Sequence, residues 1–292
     1  MILVTGSAGK TGRAIIQALV KGGESVRVLA HRPEQVARLE ALGVDNALVG
    51  DMLDPVGVAR TAKGVRAIYH IAPNVSPNEV TIGRNIIDAA RSANVERFVF
   101  HSVLHPQIEA MPHHWQKLRV EEMLFESGLF FTILQPTIYM QNILAHWDQI
   151  IKDGIYPVPY SPESRLSMVD LDDVAQVAVI ALTEPGHQNA VYELVGIAAM
   201  SQTDVAHMLS EQLHRPVTVK IVPREDWERN ARASGLGEFQ IATLIKMFQY
   251  YGTYGFTGNS NVLSQLLRRQ PTSFPDFVKR IANERENDLI VS

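Results

Sequence analysis

The chain has 292 residues, of which 46% are apolar and 20% are charged, and its formal net charge is −4. This length accommodates one large α/β domain, alone or with a smaller annex, and the negative charge argues against electrostatically driven binding of nucleic acid. Cysteine is absent from the sequence, which excludes disulfides, thiolate catalysis and cysteine-ligated metals, and we predict no metal site.

No apolar run approaches the ~18 residues that a membrane span requires. The first predicted strand begins at residue 2, which leaves no room for a signal peptide. These features predict a cytoplasmic protein that does not associate with membranes.

The first predicted element is a short buried strand, Ile2 to Val4, which leads into a glycine-rich turn. Gly6, Gly9 and Gly12 follow at intervals of three, and the apolar positions from Ala14 to Val20 predict a helix. A strand, a glycine turn and a helix N-terminus form a phosphate cradle, although a structural turn is the alternative. The predicted dinucleotide contacts are Gly6, Ser7, Ala8, Gly9, Lys10, Thr11 and Gly12.

The second predicted strand, Ser25 to Ala30, ends where a dinucleotide fold binds the adenosine ribose. The sequence offers His31 and Arg32 there, and its first acid, Glu34, follows a proline. A guanidinium pairs well with a 2′-phosphate, so we predict that NADP(H) is preferred over NAD(H). The alternative is a solvated surface arginine.

The third and fourth predicted strands span Asn46 to Gly50 and Val65 to Ile71. At the end of the third strand, Asp51 either accepts a hydrogen bond from the adenine amine or caps the turn. The fourth strand leads into a loop over the middle of the cofactor. The predicted cofactor contacts in these segments are Gly50, Asp51, Met52, Ile71, Ala72 and Pro73.

Further strands are predicted at Arg97 to Ser102 and at Phe130 to Leu134. An amphipathic helix is predicted between them, from Trp115 to Ser127, and Pro136 is predicted to start another apolar helix that reaches about Ile151. Strands that alternate with helices through short loops predict an α/β fold with a doubly wound parallel Rossmann sheet.

A smaller, mainly helical C-terminal substrate lobe is predicted to accompany the sheet, because the sequence becomes proline-rich after residue 154. We predict an NADP-binding domain of residues 1–152 with about 166–196, and a substrate lobe of about 153–165 and 197–292. A cleft over the nicotinamide is expected to hold the substrate.

The nicotinamide is expected near the carboxyl ends of the fourth to sixth strands. The candidate catalytic residues there are Ser102, His113, Lys117 and Tyr139, and Pro136 and Ile138 are further candidate cofactor contacts. Ser102 could hold a substrate oxygen or the cofactor carboxamide, or it could be a plain serine at a strand end.

Lys117 can bond the nicotinamide ribose, or it can be a solvated lysine paired with Glu121. His113 precedes it by four residues and shares a helix face with it if the helix starts that early. An imidazole there is a candidate proton donor, and a mobile loop residue is the alternative.

The joint pattern resembles the atypical short-chain dehydrogenase/reductases, specifically their NmrA-like group, which includes quinone reductases and NADP-sensing regulators. The matching residues are Thr5 to Gly12, Val28 to Arg32, Gly50 and Asp51, Lys117 to Glu122, Pro136 to Asn142, and Val169 to Ala175. Where the wider superfamily uses Tyr-x-x-x-Lys, this sequence has His113 and Lys117. The NmrA-like group is similar in lacking the tyrosine.

The resemblance implies an NADPH-dependent oxidoreductase that transfers hydride to a quinone or a similar conjugated carbonyl. The alternative is a non-catalytic NADP(H) sensor of the NmrA type, with a protein partner, and a homodimer is compatible with both. An epimerase-like or isoflavonoid-type reductase ranks below these two. The missing tyrosine favours the sensor, whereas an aromatic lobe that could receive a planar substrate favours the enzyme.

Overall fold

We describe a computed structural model of the protein, which gives the fold of residues 1–291 and the side chains of residues 1–285. The chain divides into two compact units, Met1–Pro136 with Leu171–Leu194 and Thr137–Asp170 with Val195–Ser292.

The strands are β1 (Ile2–Val4), β2 (Val26–Ala30), β3 (Asn46–Val49), β4 (Ala67–His70), β5 (Arg97–His101), β6 (Phe131–Pro136), β7 (Ile138–Tyr139), β8 (Ile155–Val158), β9 (Leu166–Val169), β10 (Ala190–Leu194), β11 (Ala199–Met200) and β12 (Thr218–Ile221). The α-helices are α1 (Lys10–Lys21), α2 (Val36–Glu40), α3 (Pro55–Ala62), α4 (Glu79–Ser92), α5 (Pro112–Phe125), α6 (Trp147–Asp153), α7 (Leu171–Thr183), α8 (Gln202–Gln212), α9 (Arg224–Ala233), α10 (Glu238–Tyr254), α11 (Asn261–Leu267) and α12 (Phe274–Val291). Short 3-10 helices span Pro33–Gln35 and Met140–His146.

The first unit is built on one sheet, which within the described chain has seven strands in the order β10-β6-β5-β4-β1-β2-β3. Every neighbouring pair in this sheet is parallel, which confirms the predicted doubly wound fold. The chain moves outward from β1 to β3 and then returns to β4 on the other side of β1. A ligand crevice is expected at such a reversal, outside the carboxyl ends of β1 and β4.

Helices cover both faces of this sheet, which explains why β1 is apolar at every position. Leu3 packs in a core with residues of α3, α4 and α5, and α1 and α7 pack against each other on the opposite face. Helices α4 and α5 approach closely at Gly83, where an added Cβ would lie 2.7 Å from a methyl group of Val120.

The second unit has two small sheets in the described part of the chain, β11-β9-β7 and β12-β8. Its core includes Trp147, Tyr156, Leu209 and Phe277, so these three aromatic side chains serve packing. Helix α8 begins with a capping box, in which Ser201 and Asp204 exchange hydrogen bonds of 3.0 and 2.9 Å.

The predicted helix from Pro136 to Ile151 is wrong. Pro136 is the last residue of β6, the next residues extend into β7, and α6 begins only at Trp147. The extended path is stabilised by parallel pairing of β7 with β9 and by a hydrogen bond of 2.9 Å from the Thr137 hydroxyl to the Ser167 carbonyl. These tertiary contacts override the local apolar pattern.

Residues 137–152 accordingly lie in the second compact unit, whereas the sequence analysis assigned them to the first domain. Helix α5 begins at Pro112, three residues before the predicted start at Trp115. Proline suits the first helical position because its missing N–H would lack a helical partner there. The assignment of cofactor and substrate binding to separate domains stays a prediction.

The glycine turn gives a first test of this architecture. An added Cβ at Gly12 would lie 2.3 Å from the Gly6 carbonyl oxygen, whereas one at Gly9 would meet that oxygen at 3.4 Å, an ordinary contact. We expect Gly12→Ala to lower the free energy of unfolding by about 1–3 kcal/mol through overpacking. In urea unfolding, Gly9→Ala should stay close to the unmodified protein, and equal midpoints for the two variants would contradict the close approach.

Candidate functional site

The glycine turn forms the first part of the candidate site. Gly6 has φ +59°, and an added Cβ there would lie 2.6 Å from the Ile71 carbonyl oxygen. The Ser7 hydroxyl donates to the Leu29 carbonyl at 2.8 Å, so this side chain joins the turn to β2. Gly9 is exposed and precedes α1 without a side-chain cap, which leaves backbone N–H groups at the start of the helix for an anion.

Two further loops of the first unit, which follow β2 and β3, contain predicted cofactor contacts. The backbone N–H groups of His31 and Arg32 donate to the Gln35 side chain at 3.0 and 3.2 Å, and both side chains are exposed. Asp51 accepts from the backbone N–H of Leu53 at 2.9 Å, as the capping alternative predicts. The Asp51 side chain is exposed, so this bond does not exclude a contact with adenine.

The end of β4 is joined to β1 by a buried threonine. The Thr5 hydroxyl lies 2.8 Å from Nδ1 of His70 and accepts from the backbone N–H of Ile71 at 3.0 Å. Ile71 and Ala72 are buried, and Pro73 is exposed. Three predicted cofactor contacts therefore follow β4 directly, at the carboxyl edge of the sheet.

Lys117 lies in a nearly buried cationic site made by three elements. Its Nζ donates to Oε1 of Glu79 at 2.9 Å and to the His101 carbonyl at 3.2 Å, and lies 5.3 Å from the centre of the Phe100 ring. The predicted alternative, a solvated lysine paired with Glu121, is wrong, because only 16% of the Lys117 side chain is exposed and its acidic partner is Glu79. Among the described residues, two of the three ammonium hydrogens have partners, and the third can bond a ligand.

Ser102, one residue beyond β5, belongs to a second buried group of polar side chains. Its hydroxyl donates to Oε1 of Glu121, and the Gln135 side-chain amide donates to both oxygens of Glu121 at 3.0 Å. Burial raises the pKa of Glu121, and the hydrogen bonds from Ser102 and Gln135 and the nearby Lys117 charge oppose that rise. The network fixes the orientation of the serine.

His113 occupies the first turn of α5, one turn before Lys117, so the two can share a face as the sequence analysis required. Burial, with a contribution from the Lys117 charge, lowers the pKa of His113 to about 4. Its Nδ1 is buried without a hydrogen-bond partner among the described residues. At pH 7 only about one such imidazole in a thousand is charged, so His113 is a neutral group.

Three more buried histidines lie in the first unit. Burial is the main cause that lowers the pKa values of His70, His101 and His114 to about 3, and the Lys117 charge adds to it. The Tyr69 hydroxyl and Nδ1 of His101 lie 2.6 Å apart. All three imidazoles are therefore neutral near pH 7.

The other predicted site residues lie at the last position of β6 and just beyond it. The Pro136 carbonyl accepts from the backbone N–H of Leu104 at 2.9 Å, within the first unit. Ile138 and Tyr139 form β7 of the second unit and pair with Met168 and Val169. Their contacts with a cofactor stay a prediction.

Glu79 and Gln135, which help to hold the two polar groups together, were not predicted as site residues, and Glu121 was considered only as a partner of Lys117. Glu79, Glu121 and Gln135 are 3%, 4% and 7% exposed. Glu79 opens α4, and a lone acid at the start of an apolar helix was a signal for a role at the helix terminus. Its partner, 38 residues away in sequence, had no local signal.

The parallel sheet and the glycine turn define a Rossmann-like protein. The model of the NmrA-like family matches residues 1–278, and the chain belongs to this family. No helix among the described residues is long and apolar enough to cross a membrane.

Two curated relatives match along nearly the whole chain. The NAD(P)H azoreductase of Xenophilus azovorans is 28% identical, over 96% of this chain and 97% of that protein. Quinone oxidoreductase 2 of Escherichia coli (strain K12) is 25% identical, over 97% of this chain and 99% of that protein. The crystal structure of an NADPH-dependent quinone oxidoreductase from Escherichia coli, complexed with NADPH, has a TM-score of 0.82 and 24% identity, covers 96% of this chain and 99% of its own, and shares the fold.

The buried histidines make stability depend on pH. Their pKa values in the folded protein lie below the unfolded value of about 6.5, so the unfolded state binds more protons between about pH 3 and pH 6.5. The free energy of unfolding should therefore fall on acidification from pH 7 to pH 5, by about 2 kcal/mol for each fully buried histidine.

Urea unfolding at pH 7 and pH 5 measures this fall in the free energy of unfolding. The test variant is His70→Asn, whose amide can keep a bond to Thr5 but does not titrate. This variant should lose about 2 kcal/mol less than the unmodified protein on acidification. His207→Asn is the control, because 73% of the His207 side chain is exposed. A pH dependence unchanged in His70→Asn would refute the assignment of a neutral buried histidine.

Proposed function

We propose that this protein is an NAD(P)H-dependent oxidoreductase that transfers hydride to a quinone or a similar conjugated carbonyl. The observation that carries the proposal is the Lys117 ammonium, held at the carboxyl edge of the sheet with one hydrogen left for a ligand. The names of the two curated relatives, an azoreductase and a quinone oxidoreductase, support a reductase of conjugated acceptors.

The residues present fit a dinucleotide. Gly6 and Gly12 allow backbone approaches that any Cβ would block, while a Cβ at Gly9, just before α1, would make an ordinary contact with the Gly6 carbonyl oxygen at 3.4 Å. A pyrophosphate at that helix start would be stabilised by backbone N–H groups and by the helix dipole. When bound, a reduced nicotinamide supplies the hydride.

We further propose that NADP(H) is preferred over NAD(H). Arg32 follows β2 and is exposed, and the nearby acid, Glu34, lies in the 3-10 helix that begins after Arg32. A guanidinium can bond a 2′-phosphate with two hydrogens at once, and its charge strengthens both bonds. His31 offers a second donor beside it.

We expect Arg32→Ala to weaken NADPH binding by roughly ten- to a hundredfold, since a charged hydrogen bond contributes about 1.5–3 kcal/mol. NADH binding should change little, because NADH has no 2′-phosphate. Titration calorimetry on both cofactors measures the change, with Arg38→Ala as an exposed control in the next helix. Equal dissociation constants for NADPH and NADH in the unmodified protein would exclude the preference.

In the proposed reaction, Lys117 bonds the nicotinamide ribose and fixes its position, and Glu79 and the His101 carbonyl hold the ammonium in place. His113 is neutral at pH 7, so it can donate only its N–H hydrogen bond and is a weak acid. A quinone tolerates this, because the phenolate that it forms needs little acid assistance. The buried, neutral histidine thus fits a quinone better than an aldehyde.

The neutral state of His113 also favours a second candidate function. With His113 neutral, in the position where the wider superfamily has its acidic tyrosine, the protein could bind NADP(H) without turnover. In that role it is a sensor whose bound and free states are distinguished by a protein partner or by a second copy of the chain.

Lys117 variants separate the two functions. For a reductase, Lys117→Ala should lower turnover at saturating NADPH by tenfold or more, a barrier change of at least ~1.4 kcal/mol. For a sensor, the unmodified protein shows no turnover with quinones, azo compounds or aldehydes, and the variant only binds the cofactor less tightly. Steady-state rates and calorimetry give both readouts.

Removal of Lys117 leaves Glu79 buried without its partner, which destabilises the fold. The double variant Glu79→Gln with Lys117→Met removes both charges and keeps the test valid, and Lys21→Ala is an exposed control. Full activity in both Lys117 variants would refute the assigned role of this residue.

A further inference from the structure

The buried hydrogen bonds among Ser102, Glu121 and Gln135 determine the direction of the Ser102 hydrogen as well as the position of its oxygen. All three side chains are nearly inaccessible, with exposures of 3%, 4% and 7%. Ser102 directly follows β5, the strand that lies between β4 and β6 in the sheet. Gln135 belongs to β6 and Glu121 to α5, so three elements of the first unit fix one hydroxyl group.

The hydrogens in this group can be counted. A serine hydroxyl has one hydrogen, and Ser102 donates it to Oε1 of Glu121. An ionised carboxylate can only accept, and the Gln135 amide donates to both of its oxygens. The Ser102 oxygen therefore has lone pairs but no hydrogen left for a ligand.

We propose that Ser102, oriented by Glu121, is an acceptor subsite for the carboxamide N–H of the nicotinamide ring. This inference rests on the proposed cofactor and goes beyond it, since it assigns one polar atom of the ring to one atom of the protein. It also excludes the other role considered for Ser102, donation to the oxygen of a substrate carbonyl.

The position of Lys117 supports this assignment. Its ammonium bonds the carbonyl of His101, the residue that precedes Ser102 in the chain. In a nicotinamide nucleotide the ring is attached directly to the ribose, and the carboxamide is attached to the ring. A ribose bonded by Lys117 therefore brings the carboxamide into the neighbourhood of the Ser102 oxygen.

Glu121 is a positioning residue in this scheme, because it determines the direction of the Ser102 hydrogen without contact to the ligand. In Glu121→Gln, the amide can donate to the Ser102 oxygen, which frees the hydroxyl hydrogen to point at a ligand. The subsite would then change from an acceptor into a donor while its shape is nearly unchanged.

Cofactor analogues test the subsite through binding alone. The probes are NADP⁺, its 3-acetylpyridine analogue, which has a methyl group in place of the carboxamide NH₂, and its thionicotinamide analogue, which retains the NH₂. The unmodified protein should bind the acetylpyridine analogue about tenfold more weakly than NADP⁺, a difference of ~1.4 kcal/mol. The thionicotinamide analogue should bind like NADP⁺.

For both Ser102→Ala and Glu121→Gln, the dissociation constant of the acetylpyridine analogue divided by that of NADP⁺ should fall close to one. Glu122→Gln is the matched control, because that neighbouring side chain is 53% exposed, pairs with Arg119, and should leave the ratio unchanged. Thermal unfolding verifies that each variant is folded, and Ser102→Ala alone decides the question if Glu121→Gln does not fold.

The binding measurements distinguish a failure of the proposed function from a failure of the Ser102 subsite alone. A protein that binds no NADP⁺ overturns the proposed function and this subsite with it. A protein that binds NADP⁺ but does not discriminate against the acetylpyridine analogue overturns the subsite alone. Discrimination that persists in Ser102→Ala assigns the carboxamide to another group and likewise refutes the proposal.

Discussion

The close approach of the backbone to itself in the first turn is the constraint on which the first unit depends. The turn can pass beneath the start of α1 and beside β4 only where Gly6 and Gly12 have no side chains. This geometry places the open end of a helix over the point where the strand order reverses. The uncapped N-terminus of α1 and the carboxyl ends of the strands thereby face the same region of the unit.

The Lys117–Glu79 ion pair has a different role from that of a surface salt bridge. Removing both groups from water is costly, and a buried pair seldom stabilises a fold more than apolar residues of equal size would. Burial is the main cause that lowers the pKa values of His101 and His113, and the Lys117 charge adds to it. The ion pair therefore places in this region a positive charge that helps to keep the nearby imidazoles neutral.

The features that the sequence predicts well are those with a local physical cause. The glycine turn and the alternation of strands and helices each depend on residues that are close together in the chain. The helix predicted after Pro136 failed because pairing with β9, which lies far along the chain, determines that path.

In the candidate site, too, residues with a local signal were predicted and their distant partners were not. Lys117 and Ser102 could be identified from their expected places on the sheet, but their partners Glu79 and Glu121 could not. The bonded residues are 38 and 19 positions apart, so only the packing of α4, α5 and β5 brings them together. Burial also reverses the expectation for His113, whose pKa in water would suit an acid near neutral pH.

The second compact unit interrupts the first, because Thr137–Asp170 is inserted between β6 and the α7–β10 segment. During synthesis, β6 therefore has only one neighbour in the sheet until the ribosome has delivered β10. Until then its outer edge exposes unpaired backbone groups, a template for misassociation between nascent chains. This edge of β6 therefore stays unpaired while residues 137–189 are being synthesised.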